Sequence, residues 1–351
     1  MADIIIRKQG RAGRITLNRP KALNALSYQM CLDIEAALDA WREDDEVALV
    51  IIDAAGEKAF CAGGDIQEMY DTARAGNFDY GRRFWADEYR LNAKIAAYPK
   101  PYIALMQGFT MGGGVGISCH GSHRVVCESS LIAMPECGIG LVPDVGGSAL
   151  LARAPGRLGE YFALTATRMG PADALYSRFG DHFISRTRWP ALIEQLCASG
   201  DADLVRIFAS AEPAVEQGPA QQGQDEIDAA FAGESPGDIL AALDGSDSEI
   251  AQLAARAMRR NSPLSMACAL RLIRDARAAP GLPAALAREY RFTWRSAEMG
   301  DFVEGIRAAI IDKDRAPKWR HPSPEAVSED DITAMLAPLG ADELNLQGVE
   351  P

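Results

Sequence analysis

Two glycine-rich segments carry the clearest pattern for chemistry in this sequence. They are residues 60–65 (FCAGGD) and residues 111–116 (MGGGVG). Glycine lets a bound group approach the main chain closely, and an amide that leads into a helix is polarised toward developing negative charge. Two such amides form an oxyanion hole, in which the negative charge on a carbonyl oxygen is stabilised.

Two acidic residues follow these segments, each directly after a proline. Glu136 follows Pro135, and Asp144 follows Pro143. A carboxylate beside an oxyanion hole can act on the carbonyl held there, or on a neighbouring carbon, as a nucleophile or as a general base. The combination predicts an acyl-thioester site, whereas the structural alternative is that the glycines form tight turns and the acids cap helices or support loops.

The composition describes an ordinary soluble globular protein. The chain has 351 residues, of which 48% are hydrophobic and 24% charged, and its formal net charge is −13. An acidic surface disfavours nucleic acid and anionic membranes, although a local basic patch is still compatible with coenzyme A. No apolar run is long enough to span a bilayer. We therefore expect neither a nucleic-acid partner nor a membrane.

The cysteines and the first residues favour a reducing compartment. Seven scattered cysteines lack the spacing of a zinc ribbon or of a secreted disulfide framework. The first residues, MADIIIRK, have neither the apolar region of a signal peptide nor an Arg- and Ser-rich transit composition. These features predict a cytoplasmic protein.

Other chemistries lack part of their residue set. His120 and His123 have a loose metal-like spacing, but no carboxylate or cysteine ligands accompany them. Ser148 follows Gly147, but Leu150 occupies the last position of the G-x-S-x-G elbow. Residues 112–116 do not complete G-x-G-x-x-G, and no P-loop lysine is present. We predict no metal and no redox or nucleotide cofactor, with coenzyme A only as part of the substrate.

Hydrophobic periodicity predicts an α/β fold that positions these segments at the ends of strands. Two strands, 4–8 and 14–17, form a hairpin, and a helix capped by Ser27 follows. Strands are predicted over 47–52, 102–106, 124–126 and 131–133, and helices over 79–97 and 113–119. From residue 189 onward the sequence is almost wholly helical, with helix starts at 263 and 284 and a polar linker or lid edge at 212–225.

Several motifs resemble the crotonase superfamily of enoyl-CoA hydratases and isomerases. They are residues 18–26 (NRPKALNAL), both glycine segments, residues 133–147 (AMPECGIGLVPDVGG), and the C-terminal EGIRA, IDKD and PKW. The resemblance covers most of the chain and implies a spiral of repeated ββα units. It also implies a catalytic core at 1–190 and a mainly helical region at 191–351 that covers or completes the acyl pocket.

The resemblance assigns roles to individual residues. The superfamily's oxyanion-hole amides fall on Gly64 and Gly113, and Glu136 falls on the second acidic residue of the hydratases. The first hydratase glutamate falls three residues after Gly113, where this sequence has Gly116. Hydratases use two glutamates around one water, so this departure disfavours efficient hydration.

The pattern is more similar to the hydrolase branch of the superfamily. In that pattern Asp144 joins Glu136 as a second catalytic residue, and Glu88 contacts the substrate together with Gly113. The resemblance thus implies an enzyme that hydrolyses an acyl-CoA thioester, above all 3-hydroxyisobutyryl-CoA in valine catabolism. Glu136 attacks the thioester to form an anhydride or activates water, and Asp144 binds the 3-hydroxyl, positions water or protonates the leaving thiolate.

Two alternatives stay open at this point. One is an enoyl-CoA hydratase or isomerase on the same fold, and the other is a non-catalytic acyl-CoA binder. The sequence does not separate 3-hydroxyisobutyryl from 3-hydroxypropionyl groups, because one methyl group contributes only about 1–3 kcal/mol to selectivity in a pocket. Superfamily members often form trimers or hexamers, so a homo-oligomer is a further expectation.

Overall fold

The computed structural model describes residues 2–346. Nine strands lie in this range: β1 (Ile4–Gln9), β2 (Ala12–Leu17), β3 (Leu49–Ala54), β4 (Ala59–Cys61), β5 (Tyr102–Met106), β6 (Phe109–Met111), β7 (His123–Val126), β8 (Leu131–Ala133) and β9 (His182–Phe183). They form a six-stranded sheet in the order β1-β2-β3-β5-β7-β9 and a three-stranded sheet in the order β4-β6-β8. β1 and β2 pair antiparallel, and every other strand pair is parallel.

The same range contains seventeen α-helices. They are α1 (Tyr28–Arg42), α2 (Gln67–Arg74), α3 (Asp79–Ala96), α4 (Gly113–Gly116), α5 (Gly147–Ala152), α6 (Leu158–Thr165), α7 (Pro171–Tyr176), α8 (Trp189–Ser199), α9 (Asp203–Ser210), α10 (Pro219–Gln222), α11 (Gln224–Ala230), α12 (Pro236–Asp244), α13 (Glu249–Met258), α14 (Pro263–Ala278), α15 (Leu282–Met299), α16 (Phe302–Ile306) and α17 (Glu329–Leu336). Short 3₁₀ turns cover Pro20–Ala22, Glu136–Ile139, Arg186–Arg188, Pro324–Ala326 and Gly340–Asp342, and one π turn covers Arg307–Ile311. None of the helices in residues 2–346 is long and apolar enough to cross a membrane.

The centre of the larger sheet is buried on both faces, which explains the continuous apolar runs of β3 and β5. On one face Val50 and Ile52 belong to the main core, which the helices on that side complete. On the other face Leu49 and Ile51 pack with α8 and α9 in a second core. Because side chains alternate along a strand, each face receives every second residue of β3. The predicted α/β fold class is confirmed, because parallel strands in two sheets alternate with helices.

The predicted local elements are largely present. The Ser27 hydroxyl accepts a hydrogen bond from Met30 N–H at 3.3 Å and begins α1, as its cap pattern predicts. The helix predicted over 113–119 is shorter. α4 ends at Gly116, and the chain continues as a tighter turn in which Ser118 N–H donates to Val115 O at 3.2 Å. The stretch 212–225 is only partly a linker, since α10 and the start of α11 lie within it.

The C-terminal helices pack onto the first part of the chain. Side chains of α14 such as Leu272 and Ile273 share the main core with Leu150 of α5 and Leu164 of α6. α15 packs against α3, and α16 packs against the 3₁₀ turn Glu136–Ile139. The division into a core at 1–190 and a helical region at 191–351 stays a prediction.

Candidate active site

Hydrogen bonds on both sides of Gly64 fix the conformation of the first glycine turn. It follows β4, and Gly63 has a φ of +110°, a conformation that favours glycine. Leu26 N–H donates to Gly63 O at 2.9 Å, and Asp65 N–H donates to Leu26 O at 2.8 Å. Among the hydrogen bonds of residues 2–346, Gly64 N–H has no protein acceptor. It is therefore free to donate to a bound group.

The opening NRPKALNAL segment supports this turn from behind. The Asn24 side-chain amide donates to Ala59 O at 2.9 Å and to Ala55 O at 3.0 Å. The Arg19 guanidinium binds Asp65 at 2.9 Å, next to Gly64. These contacts give the segment a structural role, because they fix both ends of the chain portion that carries the first turn.

The second glycine turn lies directly against the first. Gly112 follows β6 with a φ of +48°, and Gly113 begins α4. A methyl group placed on Gly113 would lie 3.3 Å from Gly64 N, so the two turns are in close approach. Within the described residues, Gly113 N–H also has no acceptor. Gly64 and Gly113 thus present two unpaired amides in one place, which is the geometry of an oxyanion hole.

The two turns and the three predicted acids line one cavity of about 100 Å³. Glu88 reaches it from α3, Glu136 from the start of a 3₁₀ turn, and Asp144 from the loop before α5. The remaining wall is largely apolar and comprises Ala62, Gly63, Ile66, Met69, Phe84, Trp85, Met111, Gly112, Pro135, Ile139, Leu141, Val145 and Phe302. The structure therefore brings together all five residues that the sequence predicted.

Two of the acids approach the glycine turns closely. A methyl group on Gly113 would lie 2.6 Å from Glu88 Oε1, and one on Gly112 would lie 2.8 Å from Glu136 Oε1. Glu88 and Glu136 are buried, and Glu88 Oε1 and Glu136 Oε2 have no hydrogen-bond partner within residues 2–346. Buried carboxylate oxygens without partners are costly, so these atoms are available for a substrate or a water.

Burial raises the pKa of all three acids, because it disfavours the charged form of a carboxyl group. For Glu88 and Glu136 the pKa is raised well above the usual range, first by burial and then by the negative charge of Asp144. Burial raises the pKa of Asp144 to about 7, and the hydrogen bond from Tyr89 opposes that rise. Within the described chain no basic side chain lines the cavity, so Asp144 is the acid best placed to ionise near neutral pH.

Tyr89 and Phe302 also belong to the site, although no local sequence pattern predicts either of them. The buried Tyr89 hydroxyl donates to Asp144 Oδ2 at 2.7 Å. Phe302 closes part of the cavity from α16 and packs against Trp85, with ring centroids 5.5 Å apart. Tyr89 directly follows Glu88 on α3, but only the fold brings it to Asp144.

Gly116 occupies a position where a glutamate does not fit this packing. A methyl group there would lie 2.7 Å from Asn92 Nδ2 and 2.8 Å from Val145 Cβ. Both distances are shorter than real side-chain carbons show, so even alanine requires a shift. The absence of the first hydratase glutamate is thus built into the surrounding structure and is more than a local substitution.

The alternative residues take structural positions. His120 Nε2 lies 2.7 Å from Val145 O, and burial lowers the pKa of His120 to about 4. Cys61 belongs to the first glycine segment, but burial raises its pKa to about 12, which makes it a poor nucleophile. The Ser148 hydroxyl donates to the buried Glu289 instead of to a histidine. No cluster of three or more potential metal ligands is found in residues 2–346.

The fold and this site define the class of protein. The chain belongs to the enoyl-CoA hydratase/isomerase family, which it matches over residues 12–336. Among curated relatives, the mitochondrial 3-hydroxyisobutyryl-CoA hydrolase of Gallus gallus is 39% identical over 354 residues, covering 98% of this chain and 91% of the relative. This comparison confirms the resemblance to the hydrolase branch.

Solved structures agree on the fold and carry different names. A Rhodobacter sphaeroides structure titled enoyl-CoA hydratase is 52% identical, with a TM-score of 0.93 and coverage of 98% of this chain and 100% of that chain. A Mycobacterium thermoresistibile structure titled carnitinyl-CoA dehydratase is 40% identical, with a TM-score of 0.93 and coverage of 99% and 100%. Because the names differ at nearly the same backbone, the fold alone does not decide the reaction.

The prediction of a cytoplasmic location is wrong by this comparison. The curated hydrolase of Gallus gallus and other vertebrate relatives carry the designation mitochondrial. The prediction rested on the first residues and on scattered cysteines. Unpaired cysteines indicate a reducing environment but do not identify one compartment, so they do not distinguish the cytoplasm from other reducing compartments.

Proposed function

We propose that the chain hydrolyses the thioester of a short 3-hydroxyacyl-CoA, with 3-hydroxyisobutyryl-CoA as its principal substrate. The products are the free hydroxy acid and coenzyme A, as in valine breakdown. The names of the curated relatives support this substrate. The observation that carries the reaction is the cavity itself. Two unpaired glycine amides line it together with Glu136 and Asp144, while Gly116 leaves no room for a hydratase glutamate.

In the proposed mechanism the thioester oxygen accepts hydrogen bonds from Gly64 and Gly113. When the carbonyl carbon becomes tetrahedral, the oxygen gains negative charge, and both amides stabilise it. The surrounding wall excludes most water, which strengthens these hydrogen bonds. Loss of a single oxyanion donor lowers kcat by on the order of 10²–10³ in enzymes of this kind.

Glu136 delivers oxygen to the carbonyl by one of two routes. As a nucleophile it forms a mixed anhydride, the C–S bond breaks, coenzyme A leaves as a thiol after protonation, and water then hydrolyses the anhydride. As a general base it takes a proton from water while the water oxygen attacks, and the proton is returned to the leaving thiolate. Both routes consume one water and need an ionised Glu136. Burial and the negative charge of Asp144 disfavour that form, so Glu136 acts in the state in which Asp144 carries the proton.

Asp144 and Glu88 divide the remaining tasks in this proposal. Asp144 accepts a hydrogen bond from the Tyr89 hydroxyl and, with a pKa of about 7, can exchange a proton near neutral pH. It therefore suits proton delivery to the leaving thiolate or a hydrogen bond to the substrate 3-hydroxyl. Glu88 lies against Gly113 and suits a contact with the acyl group. The chemistry needs no metal or redox cofactor, and coenzyme A enters as substrate.

A hydratase or dehydratase is the second candidate, because the two solved structures with a TM-score of 0.93 carry those names. Such an enzyme converts the acyl group without releasing thiol. A non-catalytic binder would accept acyl-CoA and convert nothing. Homo-oligomer formation stays a separate prediction, which the mass of the protein in solution tests.

Free-thiol release tests the proposal against both candidates. The panel comprises 3-hydroxyisobutyryl-CoA, 3-hydroxypropionyl-CoA and acetyl-CoA, with hydration of crotonyl-CoA followed in parallel. We expect thiol release that favours the 3-hydroxy acyl groups and little hydration. Hydration without thiol release would establish the second candidate, and binding without turnover of any substrate would establish the binder.

A further inference from the structure

The turn that carries Asp144 is strained and needs support. Val145 has a φ of +52° and Gly146 a φ of +79°. A β-branched residue at positive φ is uncommon and persists only where its surroundings hold it in place. Both residues are buried directly beside the catalytic cavity, so the position of Asp144 depends on whatever fixes this turn.

Glu289 of α15 supplies that support from the distant C-terminal part of the chain. Its carboxylate accepts hydrogen bonds from Gly146 N–H at 2.7 Å and Ser148 N–H at 2.9 Å, and it also accepts the Ser148 hydroxyl. Glu289 is completely buried, and no salt bridge reaches it from the described residues. Burial raises its pKa to about 7, against the opposing effect of these donors.

The rest of the turn is enclosed as well. His120 Nε2 lies 2.7 Å from Val145 O, the carbonyl of the peptide unit that joins Val145 to Gly146. A methyl group on Gly146 would lie 2.4 Å from Leu282 Cδ1 and 2.7 Å from His120 Nε2, so the turn has no space to relax in place. Gly147 N–H donates to Asp144 O at 2.6 Å within the turn, and Glu289 accepts from the amides on either side of it, Gly146 and Ser148.

We propose that Glu289 is a positioning residue for Asp144. It touches no substrate and acts through the turn, whose amides it binds so that Asp144 faces Glu88 and Glu136 in the cavity. A buried carboxylate that accepts three hydrogen bonds is costly to place in a core, and a merely packed helix has no need of it. Only the expected change in kcat rests on the proposed hydrolysis, whereas the expected change in hydrogen exchange does not.

The test compares Glu289→Gln and Glu289→Asp with wild type in the full-length protein. Glutamine keeps the shape but turns an N–H₂ group toward one of the amides, while aspartate keeps both oxygens on a shorter stem. We expect kcat for thiol release to fall at least tenfold in Glu289→Gln, with KM changed less than threefold and partial recovery in Glu289→Asp. A small displacement of a catalytic group suffices for such a loss.

Hydrogen exchange of the peptide that contains residues 144–148 gives a readout that does not depend on activity. We expect this peptide to exchange at least tenfold faster in Glu289→Gln. The control is Glu298→Gln, an exposed substitution on the same helix, which should leave both the exchange rate and kcat at the wild-type level. If Glu289→Gln folds poorly, Ser148→Ala removes a single donor and is expected to lower kcat two- to fivefold.

Unchanged exchange, or a kcat for Glu289→Gln within twofold of wild type, would overturn the inference. A lower melting temperature with kcat and exchange of residues 144–148 unchanged would likewise assign Glu289 a purely structural role. If wild type releases no thiol from any acyl-CoA, the proposed function fails, but the exchange measurement still decides whether Glu289 holds the turn. The two failures are therefore distinguishable.

Discussion

The Tyr89 hydroxyl donates a hydrogen bond of 2.7 Å to Asp144 Oδ2 inside the core. The donor stabilises the ionised carboxylate and so opposes the effect of burial, which raises the pKa of Asp144 to about 7. Asp144 also raises the pKa of Glu88 and Glu136 through its charge. A single phenol thus influences the protonation of the whole acidic group.

Tyr89→Phe is expected to move the pH dependence of kcat/KM to higher pH. The Tyr89 hydroxyl lowers the pKa of Asp144, so its removal raises that pKa. The limb of the pH profile that reports Asp144 then moves to higher pH, whether Asp144 acts in its ionised or its protonated form. We expect a shift of at least about half a pH unit, measured by thiol release between pH 5 and 9. Tyr98→Phe, whose hydroxyl donates to Leu38 O remote from the cavity, is the matched control. Coincident profiles for wild type and Tyr89→Phe would contradict the assignment.

Gly113→Ala is expected to abolish most activity. The new methyl group would lie 2.6 Å from Glu88 Oε1 and 3.3 Å from Gly64 N, which places it in the oxyanion hole. We expect kcat to fall by about 10²–10³ while the far-UV circular dichroism stays native. Gly170→Ala is the control, because nothing lies within 4 Å of a methyl group there. A Gly113→Ala variant with wild-type turnover would rule out this hole.

Gly116→Glu is expected to destabilise the protein without creating a hydratase. The side chain would collide with Asn92 and Val145, and overpacking of this kind costs about 1–3 kcal/mol in the free energy of unfolding. The double variant Gly116→Glu/Asn92→Ala should recover part of that loss because it makes room. Thermal unfolding and crotonyl-CoA hydration measure the two effects. Efficient hydration by the single variant would contradict the claim that the packing around Gly116 excludes a working hydratase glutamate.

Glu88→Gln is expected to stabilise the protein increasingly as pH rises. The pKa of Glu88 is raised in the folded state, so with rising pH the Glu88 carboxyl ionises first in the unfolded chain. The free energy of unfolding of wild type therefore falls from about pH 4 upward, until the pH passes the pKa of Glu88 in the folded state. Glutamine removes this loss, and we expect a melting temperature at least about 2 °C above wild type at pH 8 and a smaller difference at pH 5. Glu43→Gln, at a side chain that is 91% exposed, is the control. A gain that does not grow with pH would contradict the raised pKa.

The sequence predicts the parts of this protein that depend on local patterns. The Ser27 cap, the buried strand β5 and the two glycine turns follow from residue types and spacing within a few positions. The convergence of Glu88, Glu136 and Asp144 was predicted through the resemblance, because the acids are far apart in sequence. Contacts specific to this fold, such as Tyr89 with Asp144 and Glu289 with Gly146, join separate elements and leave no local signal.

Thiol release by Glu136→Gln tests the central claim most directly. The side chain keeps its size, but it can neither attack the thioester nor accept a proton from water, so both routes are closed. With 3-hydroxyisobutyryl-CoA we expect kcat to fall at least about 10³-fold, while Glu234→Gln, at a side chain that is 94% exposed, retains wild-type turnover. Thiol release by Glu136→Gln at the wild-type rate would contradict the account, because the thioester would then be cleaved without the carboxylate on which both routes depend.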